Sequence, residues 1–170
     1  FPNGLTAIPA GFVVKPRVFG FDQDFKNPRT FQSSITLEHQ LGYNLVFTGG
    51  YIRTSAYNLQ RRVDRNLFAP TVNALGYLVF SATRPNINIA QLEINESSAH
   101  SSYEAVTLSL RRRFANRFQF EANYTAANNR DDDSNERNFS RQPTLNPFNL
   151  KAEEGPSKQD VRHNLNLSGL

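Results

Sequence analysis

Along residues 105–125 apolar and polar side chains take turns, interrupted once by a run of arginines. Val106, Leu108 and Leu110 alternate with Ala105, Thr107 and Ser109; beyond RRRFANR, Phe118, Phe120, Ala122 and Tyr124 alternate with Gln119, Glu121, Asn123 and Thr125. Period two is the signature of a strand with one face against an apolar medium and the other against water, because successive side chains point to opposite faces. The segment therefore predicts two strands joined by a tight turn at FANR. An earlier stretch repeats the pattern, with Phe31, Ser33, Ile35 and Leu37 facing one way, QLGYN as the turn, and Leu45, Phe47 and Tyr51 sharing the next face. Gly49 and Gly50 there mark either a bulge or a point of close packing. Near the far end Val161, His163, Leu165 and Leu167 alternate with Arg162, Asn164, Asn166 and Ser168. The predicted strands are 29–40, 44–56, 102–113, 117–128 and 160–170, with residues 1–27 mainly loop apart from a short strand at Arg17–Phe21.

The connections run short, long, short, long. Loops Asn58–Ser101 and Asn129–Asp160 are the long ones: the first loses the alternation but keeps two brief apolar pieces, YLVF and INIAQLEI, and the second is polar and without periodicity. Soluble sandwiches favour shorter strands and lack this rhythm. A membrane barrel produces it, because successive turns fall on opposite sides of the bilayer and about 9–11 tilted residues cross the hydrocarbon. The expected fold class is all-β: an antiparallel meander forming part of a transmembrane outer-membrane β-barrel, with long extracellular loops. A soluble β-sandwich binding module is the alternative, and a second sheet packed over the apolar faces would decide for it.

Composition removes other classes. The chain has 170 residues and no cysteine, so it lacks a disulfide framework, a thiolate metal site and a cysteine nucleophile. With a mean hydropathy of −0.55 it contains no run long and apolar enough for a transmembrane helix. No signal peptide is visible and both ends break off in mid-pattern, so the expectation is a piece of a longer protein. A net charge of +4 raises nucleic-acid binding, but Arg111, Arg112, Arg113 and Arg117 sit at a strand junction without a recognition helix, zinc spacing or RNP-like motif. At the end of a lipid-facing strand, arginine stems lie along apolar surface while guanidinium groups reach headgroups.

Candidate chemistry is sparse. His39, His100 and His163, with Asp160 near the last, have no GxSxG elbow to serve, so no catalytic residue and no enzyme is expected. Asp131, Asp132, Asp133 and Glu136 crowd one loop, but without EF-hand spacing or its glycine they read as a solvated loop, and neither metal nor cofactor is expected. Asn95, Asn123, Asn138 and Asn166 open chance N-x-S/T matches. Alternation places Tyr103, Gln119, Glu121, Asn123 and Arg162 on the lumen side, lining a substrate path or bonding to a plug. Arg61, Arg62, Asp131, Asp132 and Asp133 are the extracellular-loop candidates for polar ligands.

Two runs carry a resemblance: SSAHSSYEAVTLSLRRRFANRFQFEANYTAANNRDDDSNE and NPFNLKAEEGPSKQDVRHNLNLSG. They look like the barrel region of bacterial TonB-dependent receptors of the Oar-like type, which carry an N-terminal carboxypeptidase-regulatory-like domain. The matching positions are Tyr103–Asp133 and Asn146–Gly169, and NPRTFQSSITLEHQLGYNLVFTGGYIRTSA is similar to the family's preceding hairpin. Lys158 and Gln159 stand where an aromatic usually precedes the aspartate, and Asn164 replaces a usual arginine. The resemblance implies a partial receptor barrel over residues 1–170, its plug and TonB box not in this chain, that binds and imports a scarce ligand in the bacterial outer membrane. Implied partners are outer-membrane lipid, the TonB complex through the missing N-terminal part, and a small-molecule, glycan or peptide ligand. A non-transporting surface protein for adhesion or assembly is the rival within the same architecture.

Overall fold

The computed structural model describes residues 14–133 and 144–170. Among the described residues nine strands and one 3-10 turn make up the regular structure: β1 Arg17–Phe21, β2 Arg29–Gly42, β3 Leu45–Asp64, β4 Thr71–Val72, β5 Leu78–Val79, β6 Gln91–Ala115, β7 Phe118–Asp131, the 3-10 turn Leu150–Glu153, β8 Gly155–Pro156 and β9 His163–Gly169. The main sheet runs β2-β3-β6-β7, with β8 and β9 both pairing β7; β4 and β5 form a separate two-stranded ribbon. Consecutive long strands are antiparallel neighbours, the expected meander. An exception is β1, which pairs parallel with β6, Arg17 opposite Gln91 and Phe21 opposite Asn95.

Both short connections are two-residue turns in the left-handed region: Tyr43 and Asn44 at φ 50° and 61°, Asn116 and Arg117 at 55° and 65°. Two consecutive positive φ values match the twist of the flanking strands, which lets such a short loop close a hairpin. The glycine pair in β3 marks close packing and no bulge, since the register runs unbroken from Gly49↔Leu108 to Gly50↔Thr107. A Cβ on Gly50 would lie 2.6 Å from Thr107 Oγ1.

The largest departure from the sequence-based expectation lies in the loop assigned to Asn58–Ser101. There β3 continues to Asp64 and β6 already begins at Gln91, so the true excursion spans only residues 65–90. Arg61 and Arg62 consequently stand on a strand. Twenty-five residues give β6 a length of about 80 Å, whereas roughly 9–11 residues suffice to cross hydrocarbon. β3 and β6 thus rise well beyond the apolar band on the side of the long connections. At its other end β9 starts at His163, because a turn in which the Asp160 N–H donates to Ser157 O at 3.0 Å holds residues 157–160 out of the ladder.

Candidate functional site: two faces of a wall and its extracellular extension

Strand register sorts the side chains into rows. On one face Ile35, Tyr51, Val106, Ala126 and His163 stand side by side; the next rows are Leu37, Gly49, Leu108, Tyr124, Leu165 and His39, Phe47, Leu110, Ala122, Leu167. These side chains are open: Leu37 is 72% exposed and Leu167 71%. Among the described residues the only other sheet is the β4–β5 ribbon, too short to cover them. An uncovered apolar band of this extent has lipid as its natural medium. The band is edged by groups suited to an interface. Arg112 lies over the Phe118 ring at 5.1 Å on the short-turn side, and Tyr124 Oη is 2.8 Å from His163 Nδ1, their rings stacked, at the opposite margin.

The opposite face is polar. Its rows are Thr36, Gly50, Thr107, Thr125, Asn164; then Glu38, Thr48, Ser109, Asn123, Asn166; then Gln40, Val46, Arg111, Glu121, Ser168. Asn123 Nδ2 donates to Glu121 Oε1 at 3.0 Å, and Asn166 Nδ2 to Asn164 Oδ1 at 3.0 Å. Of the lumen candidates, Gln119, Glu121 and Asn123 share this face of β7, and Tyr103 shares it between Thr54 and Asn129. Arg162 stands just before β9, its Nε donating to Asp160 Oδ2 at 2.7 Å. Hydroxyls and amides dominate the wall's middle, with the Arg111–Glu121 pair of rows nearer the short turns.

Beyond the apolar band β3, β6 and β1 form an extension held by charge. Arg62 reaches Glu93 Oε2 and Asn95 Oδ1, both at 3.4 Å, and Arg17 also bonds to Glu93. Asn95 Nδ2 donates to Gly20 O at 3.2 Å, tying β1 to the sheet. Asp64 accepts N–H bonds from Asn66 at 2.9 Å and Leu92 at 3.0 Å, and Arg84 Nη1 lies 3.1 Å from it. Arg61 is fully buried; its Nη2 sits 2.6 Å from Asp132 Oδ1 and 2.8 Å from the Asp132 carbonyl, and its Nε is 3.9 Å from Asp133. Of the extracellular-loop candidates, Arg61, Asp132 and Asp133 therefore meet one another, Arg62 turns to Glu93, and Asp131 ends β7 opposite Ser101. Glu136 and Asn138 lie outside the described residues. Among the described residues no group of three metal-binding side chains occurs. Sequence reasoning missed Glu93, Asn95 and Asp64, the partners that hold the extension. The alternation of QLEINE with charged positions was their only signal.

A model of the outer membrane beta barrel domain family matches residues 1–170. The chain belongs to that family. No curated protein and no solved structure matches it. The barrel domain resides in the bacterial outer membrane, with its apolar rows toward lipid and its polar rows toward the lumen. No helix among the described residues is long and apolar enough to cross a membrane, so the strands do the crossing. Short turns mark the periplasmic side of such barrels and long connections the outside, which puts Asn116–Arg117 below and residues 65–90 and 144–162 above.

The return into β9 is pinned by one carboxylate. The Arg162 side chain, and after it the Asn129 N–H at 2.8 Å, hold the Asp160 carboxyl below its ordinary value of 3.8. A lowered folded pKa means that the carboxylate's stabilisation is present above that ordinary value and is lost as pH falls through the lower folded one. Acidification into that window is expected to lower the protection factor of the Asn129 amide, the ratio of an unstructured amide's exchange rate to its own at the same pH, in the native barrel domain. Asp160→Asn is expected to show the lower protection factor already at neutral pH and no further change in it on acidification. Identical pH profiles for the two proteins would contradict this role.

Proposed function

We propose that this barrel domain is part of a TonB-dependent receptor that binds and imports a scarce ligand, its own contribution being binding and passage, not catalysis. The observation that carries this reading is the lumen wall: three rows rich in hydroxyl, amide and charged side chains facing inward across five adjacent strands. Such a wall can hydrogen-bond to a polar solute or to a plug filling the bore, and it suits either without fixed chemistry. The resemblance over Tyr103–Asp133 and Asn146–Gly169 supports a plug and a TonB box elsewhere in the same polypeptide. Residues 65–90 and 144–162 would form part of the outer vestibule.

One observation favours the rival, a non-transporting surface protein. Arg61 is engaged with Asp132, Arg62 with Glu93 and Arg84 with Asp64, which makes the extension stiff and leaves fewer charges for a solute. Ligand accumulation separates the two. Cells carrying the intact receptor are expected to accumulate one member of a panel of siderophores, glycans and peptides only when TonB is present, and to lose that uptake when residues 65–90 are removed. Accumulation that ignores both TonB and the loop across the panel would leave surface display as the better account.

A further inference from the structure

We propose that the lumen wall carries, at its periplasmic end, a binding site for the carboxylate of a small organic monoanion with an apolar body. The site is a cavity of about 560 Å³ lined by Arg111, Arg113, Phe114, Gln119, Glu121 and Ser168 among others. That volume lies within the range of small-ligand sites.

A β-bulge builds it. The ladder between β6 and β7 pairs Arg112 with Phe120 and Ala115 with Phe118, so two β6 residues, Arg113 and Phe114, oppose Gln119 alone. Phe118 and Phe120 belong to the lipid-facing set, and the two residues caught between Arg112 and Ala115 share the other side with Gln119. Unbroken alternation from Leu110 and Arg112 would have turned Phe114 toward lipid. The bulge instead sets its ring, 60% exposed, beside guanidinium groups on the lumen face. The backbone is tied on both sides of the bulge. The Arg113 N–H donates to Asn44 O at 3.0 Å, and Gln119 exchanges two bonds of 3.1 Å with Leu170. Ser168 of β9 faces Glu121 across the ladder and closes the site.

The charges suit a monoanion. Arg111 stands directly opposite Glu121, yet no ion pair joins them; Glu121 Oε1 accepts a hydrogen bond from Asn123 Nδ2 at 3.0 Å instead. Among the described residues neither Arg111 nor Arg113 has a carboxylate partner. Glu38, another carboxylate on this face, lies one row up and two strands away, on the order of 10 Å to the side. Two free guanidinium groups against one carboxylate leave a single positive charge. Arginine in a pore lining favours anions, and its planar fork meets a carboxylate with two parallel hydrogen bonds. The Phe114 ring takes the apolar body, and the Gln119 amide and Ser168 hydroxyl add polar contacts at the edge. The site requires that this face line the lumen and stands whether or not the bore imports a ligand.

The test uses the whole polypeptide that carries this barrel domain, in nonionic detergent without TonB, titrated with benzoate and with its neutral counterpart benzamide and followed by ligand-observed NMR. Benzoate is expected to bind about tenfold more tightly, and Arg113→Gln to remove most of that preference. Arg117→Gln deletes the same charge at the neighbouring turn, outside the cavity, and is expected to leave the preference intact. Glu121→Gln separates a binding role from a structural one: loss of a structural carboxylate weakens binding, whereas relief of repulsion at an anion site tightens benzoate several-fold. Equal binding of the two probes, an equal loss in Arg117→Gln, weaker benzoate binding in Glu121→Gln, or no saturable benzoate binding at all, as when the polypeptide's own groups fill the site, would each overturn the proposal.

Discussion

Leu108→Lys is expected to cost the assembled barrel domain about 2–4 kcal/mol, the penalty for a lysine near the middle of a barrel's lipid face, while Ser109→Lys next to it is expected to cost far less. Leu108 stands in the central apolar row between Gly49 and Tyr124, and its flanking rows hold Val106 and Leu110. Its side chain is 40% exposed in the isolated wall, so nothing in the chain itself is displaced by the added length. The cost comes from lipid, which gives an ammonium group neither water nor counter-charge. Ser109 faces the lumen beside Thr48 and Asn123, where an ammonium group stays hydrated. Urea unfolding of the barrel domain in lipid vesicles measures both. Equal losses for the two substitutions would contradict the assignment of faces.

Arg61→Ala is expected to loosen the extracellular extension by about 3–5 kcal/mol, the usual consequence of removing one partner of a buried ion pair. The guanidinium is fully buried, and Asp132 is left with its charge largely shielded from water once it is gone. Replacing both residues by apolar ones, as in Arg61→Met with Asp132→Leu, is expected to recover much of the loss, since neither charge is then stranded. The effect is local. Hydrogen exchange is expected to accelerate in residues 59–64 and 91–100 and to stay unchanged in 104–112, where the ladder is anchored in the membrane. Uniform acceleration across β6 would mean that extension and membrane wall unfold as one unit, against the separation drawn here.

The membrane part of the fold was legible because lipid imposes a rule on every second side chain. The boundaries read from alternation for β2 and β7, 29–40 and 117–128, lie within three residues of the observed Arg29–Gly42 and Phe118–Asp131. Above the bilayer that rule lapses. Both faces of β3 and β6 there meet polar partners: Arg61, Val63 and Ala99 are buried alongside Glu93, Asn95 and Glu96, so strands persist without any hydrophobic period. What sustains them is ladder pairing, ion pairs and the parallel strand β1, contacts between residues up to 76 positions apart. A pattern read within a short window cannot contain such pairs. The same limit applied to the candidate residues. Alternation placed Gln119, Glu121 and Asn123 on one face of β7, but that Arg61 would meet Asp132, and Arg62 would meet Glu93, depends on register shifts between Ala56 and Arg61.

The central claim, that these strands stand between lipid and lumen, is tested most directly by labelling consecutive positions of β6. The chain has no cysteine, so single cysteines at 106, 107, 108, 109 and 110 of the barrel domain can each carry a fluorophore in vesicles. The account predicts that labels at 106, 108 and 110 are quenched by brominated acyl chains and spared by aqueous iodide, with the reverse at 107 and 109. Even-numbered labels shielded from both quenchers, as in the core of a soluble sandwich, or quenching without a two-residue period, would contradict it.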